Sequence, residues 1–369
     1  MNRNFKIGFA LFVWLFSGVF IWLSWTHPAL FNDCDPVDSR IGQSHERTVT
    51  SASLNLDNLW NFIDAQNITV RAMNDTVFIS ESQCDRVFAL EARTGQVKWE
   101  SRVASPGKLF LDRDRNRIYV YYSPIKGRSI VALDATSGEK LWSNTPVSIG
   151  YRGELQVLML TDGRLFAVTA EKQGVQISPL DPDTGKKGTP IIVAPRDSFS
   201  SDYFVYDHFW QIHGGYLQAI TVDNEVTWES SKNKLNPCCL QGIAVAQGKI
   251  IVGVGTDIFA LDQRSGGDLW RYSGSSIAGP TVVGNAVYSL TINAELQALD
   301  INTGQQIGSR RFSPPEPSNY DTTESDDSIG ASQLISDNGF IIVYFADIDL
   351  MSVYLIECFS RADAPHAAR

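Results

Sequence analysis

The chain has 369 residues, of which 43% are hydrophobic and 20% are charged, and its formal net charge is -10. Those fractions are ordinary for a globular protein and exclude a disordered or fibrous chain. The net negative charge argues against nucleic acid as a partner and against peripheral binding to anionic lipids, because both kinds of binding need a basic surface.

Residues 1–25 have the composition of a membrane-targeting segment. Arg3 and Lys6 precede an uncharged run over residues 7–25. As a helix that run would span roughly 28 Å, which is close to the thickness of the hydrocarbon core. It is longer than a usual signal-peptide core, and Trp25 and other bulky residues stand where small residues should precede a cleavage site. The sequence predicts an uncleaved single-pass anchor, with the N-terminus inside and the remaining chain membrane-anchored and extracytoplasmic.

Residues 26–54 are predicted to be a tether. They contain Pro28, Pro36 and a polar run, with no sustained periodicity. The next segment, residues 54–60, has the pattern of a lone outer strand. Residues 361–369 are a short tail, so we expect the folded domain to cover residues 55–360.

One phrase recurs about every 40 residues through this domain, a period that predicts radially stacked β-units. Its clearest copy is Ala-Leu-Asp134-Ala-Thr-Ser-Gly138, with Trp142 four residues later. In each copy the aspartate can accept hydrogen bonds from backbone amides two or three residues on. The glycine can take a positive φ, and the indole can cover the gap to the neighbouring unit.

These positions are predicted to be structural. Tryptophans could instead line a ligand site, but recurrence in unit after unit favours packing, because every stacked repeat needs an interface. The predicted docking positions are the tryptophans Trp60, Trp99, Trp142, Trp228 and Trp270, the glycines Gly95, Gly138, Gly185, Gly266 and Gly304, and the aspartates Asp134, Asp262 and Asp300.

The phrase Ala-x-Asp-x-x-Thr/Ser-Gly-x-x-x-Trp resembles the tryptophan-docking motif of the PQQ-type (quinoprotein-like) β-propeller repeats. That family includes quinoprotein dehydrogenases and a non-enzymatic lipoprotein of outer-membrane protein assembly. The resemblance covers residues 55–360 and implies an all-β propeller. It says little about activity, because members without any quinone carry the motif too.

The repeats predict about seven four-stranded blades, with eight as the alternative. Strands expected at residues 332–336, 340–345 and 351–357 leave the last unit without an outer strand. Residues 54–60 supply one strand, so we expect the N-terminal strand to close the ring and leave no long unpaired edge.

All five cysteines follow the predicted anchor, in a compartment that we expect to be oxidising. They are Cys34, Cys84, Cys238, Cys239 and Cys358. We expect Cys358 and the tether that carries Cys34 to lie on the face that bears the Asp–Gly turns. Our hypothesis is a Cys34–Cys358 bond, a vicinal Cys238–Cys239 bond and a free Cys84. Because joining adjacent cysteines strains the peptide between them, a bond from Cys84 to Cys238 or Cys239 is the alternative.

Quinoprotein dehydrogenases, which this fold resembles, place a vicinal disulfide against the quinone ring. The resemblance therefore makes Cys238 and Cys239 weak candidates for binding PQQ with calcium. Those enzymes also need a calcium-binding Glu, Asn and Asp set, which has no motif-matched counterpart here, so a structural disulfide is favoured. We expect no cofactor, no metal site and no catalytic residue, since neither a nucleophile elbow nor a zinc-hydrolase histidine pair is present.

The sequence predicts a membrane-tethered extracytoplasmic β-propeller that serves as a protein-binding or assembly scaffold, without catalysis. Partners are expected at inter-blade loops on the face away from the Asp–Gly turns, because a rigid ring fixes the positions of its loops. The candidate loops are residues 232–241, 81–85 and 347–349. The alternative function is an oxidoreductase or ligand-binding propeller that uses PQQ or another small ligand at its central channel.

Overall fold

The computed structural model describes twenty parts of the chain, and the statements below concern them. They are residues 37, 41–43, 56–62, 68–122, 129–144, 154–161, 164–171, 174–189, 191–194, 204–206, 208–213, 216–220, 226–230, 240–274, 276–291, 293, 295–312, 332–337, 339–345 and 350–356. Among these residues, no helix is long and apolar enough to cross a membrane. The predicted anchor at residues 1–25 and the tail at 361–369 lie outside them.

The named elements of the described residues are 29 β-strands. The strands from the first half of the chain are β1 (Ile41–Gln43), β2 (Leu56–Phe62), β3 (Ile68–Met73), β4 (Thr76–Glu81), β5 (Arg86–Glu91), β6 (Val97–Arg102), β7 (Pro106–Asp112), β8 (Arg117–Tyr122), β9 (Ser129–Asp134), β10 (Lys140–Asn144), β11 (Glu154–Thr161), β12 (Arg164–Glu171), β13 (Gly174–Leu180) and β14 (Ile191–Ala194).

The strands from the second half are β15 (Phe204–Tyr206), β16 (His208–His213), β17 (Tyr216–Ile220), β18 (Val226–Glu229), β19 (Leu240–Ala246), β20 (Lys249–Val254), β21 (Asp257–Asp262), β22 (Asp268–Ser273), β23 (Ser276–Val283), β24 (Ala286–Thr291), β25 (Glu295–Asp300), β26 (Gln306–Arg311), β27 (Ser332–Asp337), β28 (Phe340–Phe345) and β29 (Leu350–Ile356). The predicted all-β class is confirmed.

These strands form seven sheets within the described residues, which we number along the chain. Sheets 1 to 6 are four-stranded antiparallel meanders that contain β3–β6, β7–β10, β11–β14, β15–β18, β19–β22 and β23–β26. Sheet 7 has five strands in the order β1-β2-β29-β28-β27.

Sheet 7 combines strands from both ends of the described chain. β2 pairs antiparallel with β29 from Leu56 opposite Ile356 to Phe62 opposite Met351. Strand β1 pairs with the other edge of β2, and Ile41 lies opposite Phe62. The strand expected at residues 54–60 is therefore found two residues further along. β1 lies within the segment that the sequence predicted to be a tether.

The sheets are arranged like the blades of a propeller. Contacts join the first strands of neighbouring sheets in the series β27, β3, β7, β11 and β15, and in the series β19, β23 and β27. Middle strands such as β4 and β24 are buried along their whole length, because a neighbouring sheet covers each of their faces. Apolar clusters fill the spaces between sheets, as where Phe62 of sheet 7 meets Phe88 of sheet 1 with ring centroids 5.7 Å apart.

Two faces of this arrangement can be distinguished. The turn between first and second strands and the turn between third and fourth strands lie together at one end, since Ala92 N donates to Asp75 O over 3.0 Å and Ala135 N to Asn116 O over 3.0 Å. We call this end the turn face. The other end, the loop face, carries the turns between second and third strands and the links from one sheet to the next.

Candidate functional site

The repeated Asp–Gly turn is held by the same hydrogen bonds in successive sheets. In sheet 2, Asp134 Oδ1 accepts from Thr136 N at 2.9 Å and from Ser137 N at 2.8 Å. Gly138 N donates to Asp134 O at 2.9 Å, which closes the turn. The aspartates of sheets 3, 5 and 6 accept the same pair of amides; they are Asp181, Asp262 and Asp300.

Each predicted docking indole donates its N–H to a backbone carbonyl in the next sheet. The acceptor is the residue that follows the acidic residue of that sheet's turn. The five bonds are Trp60 Nε1 to Ala92 O at 2.9 Å, Trp99 to Ala135 O at 3.0 Å, Trp142 to Pro182 O at 2.8 Å, Trp228 to Gln263 O at 3.1 Å and Trp270 to Ile301 O at 2.9 Å. The indole therefore supplies an apolar surface and one directed bond to a main-chain carbonyl.

A β-bulge precedes these tryptophans, and sequence reasoning missed it. In sheet 5 Ala260 lies opposite Trp270 and Leu261 opposite Asp268, so Leu269 has no partner of its own in the ladder. The bulge turns the indole toward the neighbouring sheet and the residue before it toward solvent, where Leu269 is 46% exposed. The residue before the tryptophan varies, from Leu269 to Lys98, and so gives no sequence signal of a bulge.

The turn glycine serves two purposes. Gly266 has φ +68°, a conformation that other residues resist. A Cβ at this position would also lie 2.3 Å from Cε3 of Trp228, so the absence of a side chain makes room for the docked indole. The sequence predicted the backbone conformation, whereas the close approach of the ring is visible only in the structure.

Replacing Gly266 with alanine should destabilise the protein by about 3 kcal/mol or more, because it combines the cost of a positive φ with a clash against the indole. Gly248 offers a matched control, since its φ is +71° and a Cβ there would meet nothing within 4 Å. Gly248→Ala should cost only about 1–2 kcal/mol. Urea unfolding of both variants measures the difference, and equal costs would contradict a docking role for Gly266.

Two of the turn aspartates have a lowered pKa. At Asp262 the first cause is the Ser265 hydroxyl, which donates to the carboxylate, followed by the Ser265 backbone amide. At Asp181 the backbone amides of Asp183 and Thr184 lower the pKa. Because the charged carboxylate accepts these bonds, the ionised form holds the turn best.

The contribution of Asp262 to stability should therefore be present above its unfolded pKa of about 4 and be lost as pH falls through the lower folded value. We expect Asp262→Asn to lower the Tm at pH 7, and the gap to wild type to close toward pH 3. Thermal melts between pH 3 and 7 measure it. Asp114→Asn, at an exposed position outside the Asp–Gly turns, should give no such convergence; a pH-independent gap for Asp262→Asn would refute the proposed charge dependence.

Two arginines add bonds between sheets on the turn face. Arg117 Nη1 donates to Pro182 O at 2.7 Å and pairs with Asp183 at 2.7 Å, so the carbonyl that receives Trp142 is shared with a cation. Arg113 reaches from sheet 2 to Asp337 of sheet 7 at 2.5 Å. Side chains that hold the ring together thus occupy much of this face.

Hydrogen bonds and an ion pair also hold the loop-face turn of sheet 1 in place. Val103 N donates to Asp85 O at 2.9 Å and Ser105 N to Asp85 Oδ1 at 2.6 Å. Beneath this turn Arg86 and Glu81 form an ion pair at 2.7 Å, with both side chains about 5% exposed. Since removing one member of a buried pair leaves the other charge uncompensated, this pair fixes the base of the turn.

The cysteines do not all follow the prediction. Cys84 is disulfide-bonded, so the expectation that it is free is wrong. Cys34, Cys238, Cys239 and Cys358 lie outside the described residues, as do residues 232–239 and 347–349 of the predicted contact loops. Apart from Val37 and Ile41–Gln43, the predicted tether also lies outside the described residues, so its expected approach from the turn face stays a prediction.

Among the described residues there is no group of three or more His, Cys, Asp or Glu side chains that could hold a metal ion. The side chains singled out by the repeat are bonded to neighbouring turns, and their geometry is that of a packing device.

Antiparallel sheets around a common centre, joined by tryptophans that dock on Asp–Gly turns, define a PQQ-like β-propeller repeat protein. The sequence profile of the family described as outer membrane protein assembly factor BamB matches residues 57–197 and 213–327. The chain belongs to this family.

Two solved structures are similar to this chain. The crystal structure of BamB from Moraxella catarrhalis is 16% identical, with 85% of this chain and 95% of that chain covered and a TM-score of 0.45. The computationally designed Ika8 protein is 11% identical, with 79% of this chain and 97% of that chain covered and a TM-score of 0.48. No curated protein matches the sequence.

Proposed function

We propose that this protein is a non-catalytic scaffold that binds a protein partner through its loop face. Membership of the BamB family, whose description names outer membrane protein assembly, supports a role in protein interaction. The choice of the loop face depends on one observation. On the turn face, the turns accept hydrogen bonds from tryptophans and an arginine of neighbouring sheets. Those groups stabilise the ring and are not available to a partner.

The loop face has the properties of a binding platform. Its turns are braced from below, as at Asp85 and the Glu81–Arg86 pair, and they carry exposed side chains such as Gln83, Ala104 and Thr256. Exposed residues on a rigid base lose little entropy when a partner binds, which favours affinity.

Seven blades closed by β2 form the proposed ring. The seven sheets and the pairing of β2 with β29 support this number. We also propose that residues 1–25 anchor the chain in a membrane and that the propeller is extracytoplasmic. The uncharged run after Arg3 and Lys6 supports the anchor, and the disulfide at Cys84 is in keeping with an oxidising compartment.

Site-specific photo-crosslinking tests the binding face in cells. A photoreactive phenylalanine analogue is placed at the exposed loop-face positions Gln83, Ala104, Thr256 and Asn293. We expect it to yield discrete higher-mass adducts after irradiation, because a partner would lie within a few ångström of the probe.

Exposed turn-face positions provide the matched control: Arg93, Ser137, Arg264 and Asn302. These variants should fold equally well and give no adduct. Adducts confined to the turn-face set would overturn the choice of face, and absence of adducts from both sets would count against a stable protein partner.

We further propose that the protein functions without PQQ. The full-length chain in detergent, titrated with PQQ and calcium, should show no saturable change in absorbance or Tm. A saturable shift that is lost in Cys238→Ser would refute this and favour the oxidoreductase alternative, in which Cys238 and Cys239 contact the quinone.

A further inference from the structure

We propose that Cys84 is bonded to Cys34, so that the N-terminal segment is covalently fastened to the loop face of sheet 1. Cys84 is disulfide-bonded, and the chain offers four other cysteines as partners: Cys34, Cys238, Cys239 and Cys358. The described strands determine how close each of them can come to Cys84.

Cys84 lies in the turn between β4 and β5, at the loop-face end of sheet 1. Glu81 and Arg86 face each other at the base of this turn. Phe88, four residues after Cys84, contacts Phe62 with ring centroids 5.7 Å apart. The partner of Cys84 must therefore reach the loop-face end of sheet 1, which borders sheet 7 on the side of Phe88.

The N-terminal segment leads to this place. Ile41, the first residue of β1, lies opposite Phe62. Upstream, Val37 is 3% exposed and belongs to the apolar cluster that contains Phe62, Ile68 and Phe88. Cys34 is three positions before Val37, which limits the distance between their Cα atoms to roughly 10 Å. Chain connectivity therefore allows Cys34 to reach sheet 1, against which Val37 packs.

The direction of β29 argues against Cys358 as the partner. β29 runs from Met351 opposite Phe62 to Ile356 opposite Leu56. Those five steps place Ile356 roughly 17 Å nearer the turn face than Met351. Cys358 follows two residues later and can recover at most roughly 7 Å of that distance. This geometry also argues against the Cys34–Cys358 bond of our first hypothesis.

Cys238 and Cys239 immediately precede Leu240, the first residue of β19 in sheet 5. In the order of first-strand contacts, sheets 6 and 7 lie between sheet 5 and sheet 1. Packed sheets are separated by roughly 10 Å each, whereas Cα atoms joined by a disulfide are about 4.4–6.8 Å apart. A residue one or two positions from Leu240 cannot span that gap, which leaves Cys34 as the partner.

Together with the membrane anchor proposed above, this bond would set how the propeller is oriented at the membrane. If residues 1–25 are a membrane anchor, the Cys34–Cys84 bond turns the loop face toward the membrane. A pull on the anchor would then act on sheet 1 through the disulfide and would not peel β1 from the edge of β2. The partner of the loop face would accordingly be a protein at the membrane surface.

Disulfide mapping tests the pairing on the full-length chain in detergent, purified without reductant and alkylated before denaturation. Trypsin should release peptide 72–86 linked to the peptide that ends at Arg40. The link should disappear in Cys34→Ser and persist in the matched control Cys358→Ser. A link from 72–86 to peptide 235–249 or 312–361, or its persistence in Cys34→Ser, would overturn the proposal.

Thermal melts give a second readout. Cys34→Ser and Cys84→Ser should each lower the Tm by about 5–10 °C, and the double variant should fall no further, because each single change breaks the same bond. Additive losses would contradict the pairing. Neither readout depends on the anchor: recovery of the linked chain in the soluble fraction of cells would refute the membrane proposal and leave the disulfide intact.

Discussion

The fold depends on one repeated interaction, the docking of an indole from one sheet on the Asp–Gly turn of the next. Each indole removes about 150–250 Å² from water, which corresponds to roughly 4–6 kcal/mol as an upper estimate, and its N–H bond adds about 1 kcal/mol. Four-stranded sheets alone have weak edges and little shared core. Indole docking joins five of the described sheets to the sheet that follows and stabilises the arrangement, and the same contacts occupy the receiving turns of the turn face.

The docking device works only because several local features agree. The aspartate closes the turn, the glycine leaves space for the ring, and the bulge before the tryptophan aims it. At Gly266 all three meet, since Asp262 bonds to Ser265 while Trp228 approaches within 2.3 Å of a hypothetical Cβ. A residue that could adopt the positive φ of Gly266 but carried a side chain would still prevent docking, because the indole occupies the space where its Cβ would lie.

Sequence reasoning recovered the repeating part of the structure and the N-terminal strand that completes sheet 7, and it missed smaller features that do not repeat. The all-β class followed from the period, and β8 and β20 lie where alternation indicates strands. The bulge was missed because a skipped ladder position leaves no mark in composition. Strand β1 was missed because three residues, Ile41–Gln43, cannot show a period. The disulfide at Cys84 was missed because connectivity depends on where distant segments meet, as the course of β1 shows.

The course of β1 also connects architecture with function. A strand from the N-terminal region that only completed sheet 7 would leave the direction of the preceding chain undetermined. β1 runs antiparallel to β2 with Ile41 opposite Phe62, so the chain reverses its direction between these two strands. With the proposed Cys34–Cys84 bond, the segment leading to the proposed anchor would leave from the loop face, where exposed side chains such as Ala104 lie. Attachment and recognition on one face would let the tether itself bring a membrane-bound partner into range, because a short link raises the effective concentration of one site beside the other.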